Sequence, residues 1–235
     1  MSEPRIRIHL NGPLVVSGSV PLLRSTILTD AEGFSVGYSD PQTVPTGETY
    51  ALCRCGHTKK GPFCDGSHVA AGFDGTETAD RRPFAEQAVR TVGPGVTLLD
   101  VLPLCAGTRH CTVSEGDTWG LTESSGNPAD RELAIRTAQL CPAGRLVPVD
   151  LSTGQPIEPV HAPSVVLLED PEVETSGPIW VRGGIPVESS DGSVYEVRNR
   201  VTLCRCGASK NKPFCDSSHI TADFKEPGLE RGTPA

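Results

Sequence analysis

Polar and apolar side chains alternate through Arg5–Leu10, Asn11-Gly12-Pro13 breaks the run, and Pro13–Val20 resumes an extended pattern. The chain therefore opens with short strands joined by tight turns. Thr49–Leu52 predicts another short strand, which delivers Cys53. Farther on, Val96–Cys105 reads as a strand running into a cysteine. Residues 130–146 predict an amphipathic helix with Asp130 as its cap, Leu133, Ile135, Ala138 and Leu140 on its apolar face, and Pro142 as its stop. Ser164–Glu172 predicts an edge strand, and residues 177–192 echo residues 12–25, so support strands recur as well as loops. The expected class is small α+β modules, with β-rich modules at both ends and an α+β module between them.

Residues 69–82 and 149–164 are rich in Gly, Pro and polar side chains and suggest boundaries, giving modules at 1–80, 81–150 and 151–235. Residues 224–235, charged and rich in Gly and Pro, have little need of ordered structure. His161 reads as a solvent-facing linker residue, and Trp180 as a cover for a small core.

The repeat is sharpest around its cysteines. Cys53, Cys55, Cys64 and His68 are spaced 2, 9 and 4 residues apart, and Cys204, Cys206, Cys215 and His219 repeat those intervals. Three thiolates and an imidazole are the donor set of a metal site, with zinc and iron-sulfur centres both compatible in ligand type. In an extended segment, residues two apart face the same side, so Cys53 and Cys55 can converge while Arg54 points away. Gly56 can relieve the bend that follows, Pro62 stiffens the return towards Cys64, and Asp65 reads as the N-cap of a short helix carrying His68.

CRCGHTKKGPFCDGSH, residues 53–68, resembles the CDGSH-type iron-sulfur domain at Cys53, Cys55, Thr58, Pro62, Cys64, Asp65, Gly66, Ser67 and His68. CRCGASKNKPFCDSSH, residues 204–219, resembles it at Cys204, Cys206, Ser209, Pro213, Cys215, Asp216, Ser218 and His219, and departs from it at Ser217. The resemblance implies two 2Fe-2S clusters, each held by three Cys and one His. The duplication further suggests that the two modules pack as a pseudo-dimer within one chain.

Between them, Cys105 and Cys111 form a C-x5-C loop, and Cys141 is followed by Pro142 at the exit of the predicted helix. This set resembles a divergent bacterial-type single-cluster ferredoxin, lacking a cysteine at Thr108. It implies a central 3Fe-4S cluster, or a 4Fe-4S cluster with an outside or non-Cys fourth ligand, on Cys105, Cys111 and Cys141, with His110 either that further ligand or an exposed loop residue; the alternative is a degenerate domain that holds no cluster and keeps the three cysteines as packed thiols.

Composition narrows the partners. Nine cysteines in three sets of three argue against a disulfide framework, and a formal net charge of -8 argues against nucleic acid. The N-terminus has no apolar leader-like run, and no stretch suits a membrane span, which suggests a reducing, cytoplasmic setting. Arg54, Lys59, Lys60, Arg205, Lys210 and Lys212 surround the cysteine loops, where they would offset anionic clusters or dock an acidic redox partner. Without a nucleotide loop or nucleophile elbow, the expectation is an electron carrier rather than an enzyme. Cluster transfer to an apo-acceptor, redox or pH sensing, and structural zinc are the alternatives.

Overall fold

The computed structural model describes residues 3–227 and Leu229. The first repeat contributes β1 (Arg5–Ile8), β2 (Leu14–Ser17), β3 (Leu22–Thr29), β4 (Ser35–Tyr38), β5 (Gln42–Val44), β6 (Tyr50–Leu52) and the short helix α1 (Ser67–Ala70). The middle region follows with α2 (Phe84–Gln87), β7 (Val89–Val92), β8 (Val96–Asp100), a 3-10 turn at Leu102–Leu104, β9 (Thr112–Val113), β10 (Gly116–Asp117), α3 (Thr118–Glu123), α4 (Pro128–Leu140) and β11 (Leu146–Asp150). The second repeat holds β12 (Ser164–Asp170), β13 (Thr175–Arg182), β14 (Val187–Glu188), β15 (Arg200–Leu203) and α5 (Ser218–Thr221). The result is a small α+β architecture of mixed sheets and mostly short helices.

Each repeat builds its ladder the same way: β2 pairs antiparallel with β6 through Leu14↔Leu52, and β13 with β15 through Ile179↔Leu203. The two ladders then exchange strands. β1 of the first repeat pairs in parallel with β14 of the second, and β12 of the second pairs in parallel with β3 of the first. The sheets run β14-β1-β2-β6 and β15-β13-β12-β3-β4, with β5 also on β3. Alternation on β1 (exposed, buried, exposed, buried) aims Ile6 and Ile8 into one core with Leu14, Val16, Leu52, Val165, Leu167, Ile179 and Leu203. That core is shared by both repeats, so neither has one of its own.

Four sequence expectations change here. Ser164–Asp170 is an interior strand, buried at every residue and flanked by β13 and β3, where an edge was expected; a continuous apolar run is what a strand covered on both faces requires. The middle helix starts at Pro128 behind the N-cap Asn127, whose side chain accepts the Ala129 amide, and Asp130 lies inside its first turn. Residues 69–82 are more than a linker, because the Thr78 and Ala79 amides donate to the Lys212 carbonyl. At the C-terminal end, Glu226 is buried and ion-paired; Gly228 and residues 230–235, also expected to lack order, lie outside the described residues. The middle region is a three-stranded antiparallel sheet, β11-β8-β7, against which α3 and α4 pack. Among the described residues, no helix is long and apolar enough to cross a membrane.

Candidate functional site

Each cysteine loop leaves its strand at the first Cys and is pinned by a set of bonds that the two repeats share. The Cys53 and Cys204 amides donate to the Pro62 and Pro213 carbonyls at 2.9 and 2.8 Å. Thr58 and Ser209 hydroxyls donate to the Phe63 and Phe214 carbonyls at 2.6 and 2.7 Å. The Asp65 and Asp216 carboxylates each accept an amide across the loop, from Lys59 and Lys210, and one at the helix start, from Ser67 and Ser218. The N-cap position itself belongs to Gly66 and Ser217, one residue beyond the expected Asp65, both in the left-handed region at φ 87 and 69. Gly66 takes that conformation freely, while Ser217 adopts it at some cost in strain.

The sulfurs come together two by two. Cys53 and Cys55 lie 3.5 Å apart and Cys204 and Cys206 3.9 Å, as the extended Cys-X-Cys pattern anticipates. Cys64 and Cys215 instead face the Nδ1 atoms of His68 and His219, at 3.4 and 3.5 Å. The His57 and Ala208 amides donate to the Cys55 and Cys206 sulfurs at 3.4 Å. Burial pushes the Cys55 thiol up to about 11. Cys204 is drawn down to about 7, chiefly by its hydrogen bond with Cys206, which is itself raised.

Gly56 and Gly207 bind the two loops to each other. A Cβ on Gly207 would stand 2.5 Å from the Cys55 carbonyl oxygen, and a Cβ on Gly56 would overlap that of Cys206, so each loop lies flush against its repeat. Sequence reading assigns Gly56 to a bend, which its φ of 79 confirms; the close approach is visible only in three dimensions.

Arg54 and Arg205 do not ring the site to meet a partner, because they are 2 % and 3 % exposed. Arg54 donates to the carbonyls of Gly12, Gly75 and His9 at 2.7, 3.1 and 2.8 Å. Arg205 instead meets the carboxylates of Glu169 and Glu226, a cluster that Arg24 also joins. Glu226 stands 151 residues beyond Gly75, the same offset that relates the cysteines. At Gly75 a side chain would collide with the Arg54 guanidinium.

The middle cysteines are half-buried. Cys111 and Cys141 pack against Leu98, Ala138 and Leu146, and Cys141 also lies against Ala106, Ala143 and Cys215. Burial pushes the Cys111 thiol up. His110, expected as a ligand or an exposed loop residue, is 1 % exposed: Nδ1 lies 3.1 Å from Thr108 Oγ1, Nε2 3.3 Å from the Gly37 carbonyl, and its ring stacks against Tyr38. Desolvation lowers its pKa to about 4. His161 is half-buried, edge-on to Trp180, rather than solvent-facing.

These placements correct the inorganic reading. Among the described residues, no group of three or more His, Cys, Asp or Glu could hold a metal ion. The expected 2Fe-2S sets, Cys53, Cys55, Cys64 and His68 with Cys204, Cys206, Cys215 and His219, are drawn together as thiol-thiol and thiol-imidazole pairs. Of the expected central set of Cys105, Cys111 and Cys141, the last two are taken up in apolar packing, and the Cys105 thiol meets the Arg145 side chain. The 2Fe-2S, 3Fe-4S or 4Fe-4S cofactors, the electron and cluster transfer they would support, and structural zinc are therefore not what this geometry offers.

Residues 11–69 and 176–220 match the family described as Iron-binding zinc finger CDGSH type. The chain carries two CDGSH-type modules. The first match runs from β2 through the first cysteine loop and the second from β13 through the second, leaving out β1 and β12, and neither reaches the middle region. No curated protein and no solved structure matches the chain.

Proposed function

We propose that the chain is an intramolecular pseudo-dimer that works by reversible thiol chemistry at its Cys-X-Cys pairs. The observation that carries this reading is the approach of the two sulfurs in each repeat, at 3.5 and 3.9 Å, with no third donor among the described residues making a single-ion site. A disulfide bond of about 2.05 Å needs only a small further movement of such a pair. The exchanged strands and the flush Gly56 and Gly207 loops support the pseudo-dimer. Of the paired sulfurs, Cys206 is the most exposed, so a partner meets it first. A thiolate of a partner dithiol attacks Cys206 of an oxidised pair, the Cys204–Cys206 bond breaks, and Cys204 leaves with the electron pair and takes up a proton. The partner's second thiol gives up its proton and attacks its own mixed-disulfide sulfur, releasing Cys206. The pair gains two electrons and two protons, and the partner dithiol becomes a disulfide. The chain is then a thiol-exchange partner of another protein in a reducing compartment such as the cytoplasm, where nine unpaired cysteines persist.

The test equilibrates the full chain in glutathione buffers of graded ratio, maps the products by mass spectrometry, and measures iron and zinc on the same sample. Loss of two hydrogens per pair, located at Cys204–Cys206 and Cys53–Cys55, is expected. Nine free thiols at every ratio, or stoichiometric metal with the thiols blocked, would overturn the proposal.

A further inference from the structure

Helix α1 and the turn after β1 leave an open face on the first repeat. Val69 is 77 % exposed and Leu10 70 %, and with Asn11, His68, Gly72 and Phe73 they line a shallow, open hollow. The same face of the second repeat is covered. There the middle region lays Ala106 against Cys215. A Cβ added to Gly107 would stand 2.8 Å from Ile220 Cδ1 and 3.0 Å from Ser217 Cβ. Asn211 donates its side-chain amide to the Pro103 carbonyl at 2.8 Å. Ile220, Ser217 and Asn211 are the positions 151 residues beyond Val69, Gly66 and Lys60. The chain thus displays what seats on this kind of face: a turn of small residues around a left-handed glycine, with an oxygen acceptor directed at position 211.

The first repeat changes that acceptor's chemistry. Lys60 stands where Asn211 does, Lys59 is beside it, and both are exposed and make no ion pair among the described residues. A neutral amide answers a carbonyl, whereas the Lys60 ammonium answers a carboxylate, and Lys59 adds to it the charge that exposed Lys210 carries beside Asn211 in the second repeat. A second copy of this chain is a poor occupant, since two such faces meeting would oppose Lys59 and Lys60 to their own images, and the chain's own Ala106-Gly107 turn is already held by the second repeat.

We infer that the open face of the first repeat docks a partner protein through a small-residue, glycine-containing turn flanked by Asp or Glu, the turn lying over His68 and Val69 and the acids meeting Lys59 and Lys60. Nothing in this contact uses a thiol, so it stands or falls apart from thiol exchange.

The probe is a synthetic peptide, Glu-Leu-Ser-Ala-Gly-Thr-Glu, titrated into isotopically labelled full-length protein and followed by amide chemical shifts. Saturable shifts are expected at Lys59, Lys60, His68, Val69 and Gly72, weakened at least tenfold by Val69→Glu or Lys60→Glu and by raised salt, and absent with a peptide whose Gly is replaced by Val. Val69 is exposed, so the Val69→Glu spectrum should otherwise match the parent's and report a folded chain. Shifts absent from this face, shifts indifferent to Val69→Glu, or shifts that follow protein concentration instead of peptide, the signature of a second copy, would overturn the inference.

Discussion

The two repeats hold the same loop in two different surroundings. Inside each loop the bonds of the Thr58 and Ser209 hydroxyls and of the Asp65 and Asp216 carboxylates match to about 0.1 Å. Outside it they diverge: α1 faces solvent while α5 lies under the middle region, and Arg54 is satisfied by backbone carbonyls while Arg205 is held by carboxylates. Local sequence sets the loop's shape, and residues far away in the chain set its exposure and electrostatics. Equivalent substitutions should therefore have unequal effects wherever those distant residues intervene.

The arginines should break the equivalence most. Arg205→Met leaves Glu169 and Glu226 buried with Arg24 as their remaining cation, at a cost of about 3–5 kcal/mol. Arg54→Met forfeits hydrogen bonds to neutral carbonyls, for about 1–3 kcal/mol. Urea denaturation of the two variants measures the difference, and equal losses would mean that the carboxylates add nothing. Next come the glycines, where the repeats should behave alike. Gly56→Ala and Gly207→Ala each push a Cβ into the facing backbone and strain a left-handed residue, costing about 2–4 kcal/mol apiece. A tolerated alanine at either position would show that the loops can part.

Acid should then find the covered side. His219 and His110 are held neutral by desolvation, with pKa values of about 4 against an ordinary 6.5. The unfolded chain binds protons there that the folded chain refuses. Stability is thus fully present above pH 6.5 and is lost as pH falls towards 4, by up to about 1.4 kcal/mol per pH unit for each histidine. His219→Asn should shed its share of that slope in thermal melts at stepped pH; an unchanged slope would discount His219. The smallest effects belong to the two helix faces. Ile220→Ala should cost about 1–2 kcal/mol, and Val69→Ala, its exposed counterpart, less than about 0.5 kcal/mol by the same denaturation.

What sequence could supply follows the same division. The convergence of Cys53 with Cys55, the turn conformation of Gly56 and the strands β1, β2 and β6 follow from period-two patterning and turn chemistry, all within a few residues. The interior place of β12 was signalled by its apolar run Val165–Leu168, which a strand covered on both faces requires. His110 gave no sign of burial, since its enclosure depends on Gly37 and Tyr38, more than 70 residues away. Ligand spacing suggested cluster sites, but spacing does not fix which side chains meet, and here they meet as pairs. The strand exchange was hidden for a different reason: a repeated strand pattern is compatible with pairing inside a repeat or between repeats, and only the shared core decides.

That exchange also sets a timetable for synthesis. β1 finds its parallel partner 181 residues later, when Glu188 reaches Arg7. At translation speeds of about 5–20 residues per second, the first strand waits roughly 10–40 s with one edge unpaired. Throughout that wait the nascent N-terminal half is a sheet fragment with an open seam, and a ribosome that stalls before β14 leaves it prone to joining another chain's.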